Sequence, residues 1–231
     1  MTNIALIIAG GVGARMHQAV PKQFMTVNDK PVIIYTLEAF ERHPSIDAIC
    51  VVCLEGWENI LNSYAKQYKI TKLKHITNGG SNGQSSILKG LEEIEKHYDK
   101  ETIVLIHDAI RPMVSEDVIS DCIAVTEKYG NAITCVPCQE AMLETQDKQS
   151  SNSAYPRDNL KRTQTPQGFR LSEILDAHHK AMEKGINNSV ASCTLMTEVG
   201  KKVYFSTGSE KNIKLTTTQK RIISKLLNFL F

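Results

Sequence analysis

Residues 4–23 read IALIIAGGVGARMHQAVPKQ. Every position from Ile4 to Ala9 is apolar, the pattern of a strand buried on both faces of a sheet. Gly10-Gly11-Val12-Gly13 follows, and three of these four residues lack a side chain, so the turn can bend tightly and bring backbone N–H groups close to a ligand. Such a turn, with the N-terminus of a following helix, makes a concave anion trap. Arg15 and Lys22 place two cations just beyond it, which suits a polyphosphate better than a single carboxylate. A P-loop is excluded because no Gly-Lys-Ser/Thr follows the glycines, and the dinucleotide fingerprint G-x-G-x-x-G fails at Met16. A purely structural turn between strand and helix is the alternative reading of the glycines alone.

Outward from this stretch the chain alternates helix and strand patterns. Pro31 to Arg42 carries apolar residues at 33, 34, 37 and 40, as an amphipathic helix does. Ala48 to Leu54 reads as a second buried strand, Glu58 to Tyr68 as a helix, and Leu73 to Thr77 as a short strand. Thr102 to Ile106 and Asn131 to Val136 add strands, and Ser86 to His97, Ser115 to Tyr129, Leu171 to Lys184 and Thr218 to Phe231 add helices. Ser115, ahead of Glu116 and Asp117, gives the second of these helices a capping-type start. The rhythm predicts a mostly parallel sheet covered by helices. Pro137 to Pro156 breaks it: the segment is poor in apolar residues, and Asp147 to Tyr155 reads as turn or loop. Leu195 to Gly200 is too short to assign, and Val203 to Ser206 reads as a last strand.

The 231 residues, 42% hydrophobic, suffice for one α/β domain with an unstapled core. With 27 Lys and Arg against 25 Asp and Glu, the net charge of +2 argues against a nucleic-acid binder or a membrane-surface protein. Six cysteines include two C-x-x-C pairs, Cys50 with Cys53 and Cys135 with Cys138. The first lies inside an apolar strand pattern, where a closed thiolate cluster is awkward to build. Buried reduced thiols, no signal peptide and no apolar stretch long enough to span a bilayer predict a cytoplasmic protein.

Two further stretches carry chemistry. Asn78 to Ser86 (NGGSNGQSS) is a small, polar loop between a strand and a helix, placed to read a base or a ribose. His107-Asp108-Ala109-Ile110-Arg111-Pro112 leaves a buried strand, where Asp108 can hold Mg²⁺ against phosphate oxygens or simply cap a turn. Arg111 reads as a phosphate-orienting group or an internal ion-pair partner. Lys214, between Ile213 and Leu215, is by itself an ordinary solvated lysine.

Taken together, AGGVGARMHQAVPKQF at 9–24, GGSNGQSSILKGL at 79–91, HDAIRP at 107–112, TQTPQGF at 163–169 and NIKLTT at 212–217 resemble the 2-C-methyl-D-erythritol 4-phosphate cytidylyltransferase family. Its close relatives include ribitol-5-phosphate cytidylyltransferases. The resemblance spans nearly the whole chain. It implies a Rossmann-like nucleotidyltransferase fold, one domain over residues 1–231 with 137–160 as a protruding dimerisation arm, a homodimer, and Mg²⁺-dependent transfer of CMP from CTP to a polyol phosphate. It places Ala9, Gly10, Gly11, Gly13, Gly80, Ser81, Gln84, Ser86 and Asp108 against the nucleotide. Arg15, Lys22 and Lys214 become the catalytic cations and Asp108 the metal ligand. Arg111, Thr165 and, from the partner subunit's arm, the residue matching Arg157 are placed against the acceptor.

Three departures stand out. Gly83 replaces an arginine of the family loop, Glu140-Ala141 stands where the family has Asp-Thr, and Val190-Ala191-Ser192 stands where it has T-D-[DE]. None falls on the triphosphate cations or Asp108, so CTP chemistry is expected to persist while acceptor recognition differs. Methylerythritol phosphate would point to isoprenoid synthesis, another polyol phosphate to cell-envelope polymers. The alternatives are a sugar-phosphate nucleotidyltransferase using another NTP and a non-catalytic nucleotide-binding protein of the same fold.

Overall fold

The computed structural model describes residues 1–11 and 20–215. Gly13, Arg15 and the expected helix at 218–231 lie outside the described residues. A seven-stranded sheet is built around β1 (Asn3–Ala9), which pairs in parallel with β4 (Ala48–Cys53) on one side and β6 (Ile103–Asp108) on the other. Beyond β4 lies β5 (Leu73–Asn78), also parallel. Beyond β6 come β10 (Lys161–Arg170), β7 (Asn131–Pro137) and β11 (Phe205–Thr207), giving the order β11-β7-β10-β6-β1-β4-β5. β10 runs antiparallel to both of its neighbours, so the sheet is mostly rather than wholly parallel.

The apolar run in β1 is continuous because both of its faces are covered. Ala5, Ile7 and Ala9 pack in one cluster with Phe40 and Leu37 of α1 (Val32–Arg42), Leu61 of α2 (Glu58–Gln67) and Ile119 of α4 (Glu116–Tyr129). Ile4 and Leu6 pack in the other with Leu91 of α3 (Gly83–Glu95), Ile174 of α5 (Leu171–Glu183) and Met196 of α6 (Ser192–Glu198). The same alternation sends Cys53 into the first cluster and Cys50 into the second, so this C-x-x-C pair cannot converge on one ion. Burial pushes both thiols up to about 12, and all six cysteines are free and buried.

Four local features differ from the sequence expectation. Thr26–Val27 and Lys30–Pro31 form a two-stranded ribbon, β2 and β3, across an Asn28-Asp29 turn with both residues at positive φ. The segment 192–198 is helical. Ser115 occupies the N-cap of α4 without a side-chain capping bond. Within 137–160, β8 (Met142–Glu144) and β9 (Ser153–Tyr155) pair as an antiparallel hairpin. Its tip is held by Asp147, whose Oδ1 accepts from the N–H groups of Gln149 at 2.9 Å and Ser150 at 2.8 Å, an Asx-type closure. No helix among the described residues is long and apolar enough to cross a membrane.

His178 of α5 is buried among apolar groups, and its Nε2 has no hydrogen-bond partner among the described residues. Burial pulls its pKa down to about 4. The unfolded chain takes up this proton near pH 6.5, the folded one only near 4, so stability present above 6.5 is lost as pH falls through that window. Denaturant titrations from pH 7 to pH 4 should show that His178→Leu reduces proton uptake on unfolding by about one, a slope change of roughly 1.4 kcal/mol per pH unit at most.

Candidate active site

Because β4 and β6 flank β1 on opposite sides, the loops leaving β1 diverge from those leaving β6, which opens a crevice at the carboxyl ends of the strands. One wall is made of backbone. A Cβ on Gly10 would meet Gly79 Cα at 3.4 Å, and one on Gly79 would meet Ser86 Oγ at 3.1 Å, so the loops after β1 and β5 touch where neither has a side chain. The Gly79 N–H donates to Cys53 O at 3.1 Å, and the Gly80 N–H to Ser86 Oγ at 2.9 Å. Asn82 and Ser85 cap α3 reciprocally: Ser85 N–H donates to Asn82 Oδ1 at 2.8 Å and Asn82 N–H to Ser85 Oγ at 3.0 Å. The small polar loop is therefore pinned, and α3 starts three residues earlier than its sequence pattern suggests.

Lys22 opens a single 3-10 turn, Lys22–Phe24. Buried Gln23 ties this turn to the glycine loop by donating from Nε2 to Ala9 O at 2.6 Å and to Gly11 O at 3.2 Å. Ser81 is exposed at the loop tip. Gln84 is buried instead, donating to Ile186 O and accepting from Ser189 N–H, both at 2.8 Å, so its amide anchors the neighbouring loop.

The opposite wall carries charge. Asp108, level with Ile8 of β1, places Oδ1 3.0 Å from Lys214 Nζ and accepts at Oδ2 from Arg111 Nε at 2.9 Å. Burial alone would raise the Asp108 pKa; Lys214 and then Arg111 outweigh it and hold the carboxyl below the usual range. Arg111 Nη1 also donates to Asn212 O at 2.8 Å, so two of its five donors fix the guanidinium plane and the others stay free for a ligand's oxygens. Lys214 lies in no regular element. Its segment is held by Leu215 N–H donating to Ile110 O at 2.9 Å and by Gln164, whose Nε2 donates to Ser209 O at 2.8 Å.

A directed chain of hydrogen bonds runs behind these ions. His107 is fully buried, and burial brings its pKa down to about 4, so its ring is neutral at pH 7. Its Nε2 faces Arg111 O at 3.2 Å, which only accepts, so Nε2 carries the proton and Nδ1 is an acceptor. The Thr165 hydroxyl, 3.1 Å from Nδ1, must then donate to it while accepting from Asp108 N–H at 3.1 Å. A register break in β10 between Thr163 and Gln167 accompanies this reach, as bulges commonly re-aim a residue beside a site. Asn212 Nδ2 donates to Thr165 O at 2.7 Å and completes the lattice.

Asp108, Arg111, Thr165 and Lys214 are thus brought together, as are Ala9, Gly10, Gly11, Lys22, Gly80 and Ser86 on the facing wall. Arg157 is not: it sits on the arm, where its Nη1 donates to Gln139 O at 3.0 Å. His107, Asn212 and Gln23 are positioning residues that motif reading did not single out. The sequence signal for His107 and Gln23 is a polar side chain at the edge of an apolar run or glycine turn. Of the departures, Glu140 lies 3.7 Å from Arg162, while Val190 is 94% exposed and Ser192 is buried in α6.

A cleft of about 450 Å³ beside the ion pairs is lined by Arg111, Arg162, Thr163, Gln164, Asn212 and Lys214. Glu210, paired with Arg162, and the apolar Val136 and Ile213 also line it, so Arg111 and Lys214 with the amides of Gln164 and Asn212 are the groups that suit a small phosphorylated, hydroxylated ligand. A divalent metal fits Asp108 in one way only. Each of its oxygens already faces a cation, yet each keeps a second lone pair, so Mg²⁺ is compatible here when triphosphate oxygens arrive with it and supply most of its ligands.

The family model for 2-C-methyl-D-erythritol 4-phosphate cytidylyltransferase (IspD) matches residues 3–226. A ribitol-5-phosphate cytidylyltransferase of Lacticaseibacillus paracasei is 42% identical over 93% of this chain and 92% of its own length. A 2-C-methyl-D-erythritol 4-phosphate cytidylyltransferase of Clostridium botulinum is 36% identical over 96% of both chains. The crystal structure of the Francisella tularensis 2-C-methyl-D-erythritol 4-phosphate cytidylyltransferase superposes over the whole of both chains with a TM-score of 0.82 at 26% identity. With its backbone-lined crevice, its half-buried Asp108 ion pairs and this similarity along its length, the chain belongs to the 2-C-methyl-D-erythritol 4-phosphate cytidylyltransferase family and is a CTP-dependent nucleotidyltransferase.

Proposed function

We propose that the protein transfers CMP from CTP to ribitol 5-phosphate or a closely similar polyol phosphate in the cytoplasm. The observation that carries the chemistry is the Arg111–Asp108–Lys214 cluster beside the glycine wall. The higher identity to the ribitol-5-phosphate enzyme supports the acceptor, as do the replacements at Glu140-Ala141 and Val190-Ala191-Ser192.

An acceptor phosphate oxygen attacks the α-phosphorus of CTP in line; the new P–O bond forms as the bond to the β-phosphate oxygen breaks, and pyrophosphate leaves. The nucleophile is already an anion, so no general base is required. Joining two anions is the difficulty, and Arg15, Lys22 and Lys214 oppose it by neutralising charge on the triphosphate. Mg²⁺, held by Asp108 and the phosphates, would supply Lewis-acid polarisation of those oxygens. Arg111 offers its remaining donors to the acceptor phosphate. The Thr165 hydroxyl donates its hydrogen bond to His107 and accepts one from Asp108 N–H, so it retains one lone pair and its part is to accept from an acceptor hydroxyl. Gly80, Ser81 and Ser86 form the loop assigned to base and ribose.

The β8–β9 hairpin presents Leu143, 66% exposed, and Tyr155, 51% exposed. A lone two-stranded ribbon is marginal in water, so an apolar ribbon of this kind calls for a covering surface. We assign that surface to a second copy of the chain, with Arg157 crossing into the partner's acceptor cleft.

Pyrophosphate release with CTP and Mg²⁺ should be faster with ribitol 5-phosphate than with methylerythritol 4-phosphate by about tenfold or more in kcat/KM. The reverse order would overturn the acceptor, and release with neither would overturn the reaction. Lys214→Ala should lower kcat about a hundredfold while leaving the melting temperature close to wild type, as expected for loss of one aimed charge. Coexpressed Lys214→Ala and Arg157→Ala subunits should recover about a quarter of wild-type activity, because about half of the dimers are mixed and each mixed dimer carries one intact site of its two. No recovery would place Arg157 in its own subunit's site.

A further inference from the structure

The far end of the β5–α3 unit gathers three metal-ligating side chains with no part in the reaction. His75 stands on the edge strand β5, Glu93 on the last turns of α3, and His97 just beyond it; one ligand atom from each lies within 4.8 Å of the other two. Glu93 Oε1 and His97 Nε2 are 3.2 Å apart. Two ligands of a tetrahedral zinc, each about 2.1 Å from the ion, are separated by about 3.4 Å, so this edge of a coordination tetrahedron is already in place. The His75 and His97 rings stack with centroids 4.2 Å apart and planes 18° apart. The remaining closure is a side-chain adjustment of His97, whose side chain is 44% exposed and gives an ion a path from solvent.

Further contacts favour a metal over a plain ion pair. His75 Nε2 lies 3.2 Å from Tyr98 Oη, an outer partner that orients the ring. Lys96 engages Glu93 Oε2 at 2.7 Å and leaves Oε1 to the cluster.

We propose that His75, Glu93 and His97 form a binding site for a late first-row divalent ion, Zn²⁺ or Ni²⁺, completed by water. Two imidazoles and one carboxylate select such ions over Mg²⁺, which prefers an all-oxygen shell. The ion bridges β5 to α3 at the opposite end of the helix from the nucleotide loop, about 20 Å away for 13 residues. It therefore acts on the stability of the sheet edge, and its readout is separate from catalysis.

The test uses tag-free protein without nucleotide. Micromolar Zn²⁺ or Ni²⁺ should raise the melting temperature by several degrees, EDTA should reverse the shift, and Co²⁺ should bind as one equivalent with visible d–d bands. His97→Gln, a change at an exposed position, should abolish both the shift and the bands while keeping wild-type stability in EDTA and wild-type turnover with Mg·CTP. An undiminished shift in His97→Gln, sulfur-to-cobalt charge-transfer bands, or no response in the wild type would each overturn the site.

Discussion

The arrangement rests on one half-buried carboxylate. Asp108 ends the strand next to β1, and its two oxygens hold Arg111 from the following turn and Lys214 from a segment more than a hundred residues later. A charge in that place is costly unless it is paired and hydrogen-bonded. Here the pairing does two jobs, since the groups that neutralise Asp108 are those a phosphate would contact. On the proposed mechanism, nucleotide and acceptor phosphates would meet cations already oriented, with little reorganisation needed on binding.

Behind the ions, polarity is arranged so that every hydrogen points one way. Asp108 N–H, the Thr165 hydroxyl and the His107 ring pass donors in sequence to Arg111 O, and the neutral imidazole is what makes that order possible. A protonated His107 would present two donors, one of them aimed at a hydroxyl that must then reverse. The lattice sets the rotamer of Thr165 and the backbone position of Arg111, so the cluster's geometry comes from groups that need never touch a substrate.

Much of this was legible beforehand. Continuous apolar runs in β1, β4 and β6 could only be strands covered on both sides, and the glycines at 10 and 79 announced a backbone-lined crevice. Asp108 stood out because it leaves the carboxyl end of a buried strand, whereas Lys214 alone read as a solvated lysine and gained its role only from the resemblance. The hidden part was long-range: nothing local links residue 108 to 165, 212 or 214, and only the sheet order places them side by side. The arm hairpin escaped because its strands are three residues each and its turn chemistry swamps their alternation. α6 escaped because seven residues make barely two turns, and its packing rather than its propensity holds it.

The insertion of β10 between β6 and β7 has a further consequence, in the order of events during synthesis. β6 and β7 leave the ribosome first and cannot pair with each other across the final sheet, since each keeps one edge for a strand that ends only at Arg170. The left half of the sheet, β1 with β4 and β5, can assemble early from contacts close in sequence. The right half waits, with unpaired edges, and closes when β10 docks. That same step delivers Thr165 to His107, and the charged wall of the crevice is finished only when Asn212 and Lys214, later still in the chain, reach Thr165 and Asp108.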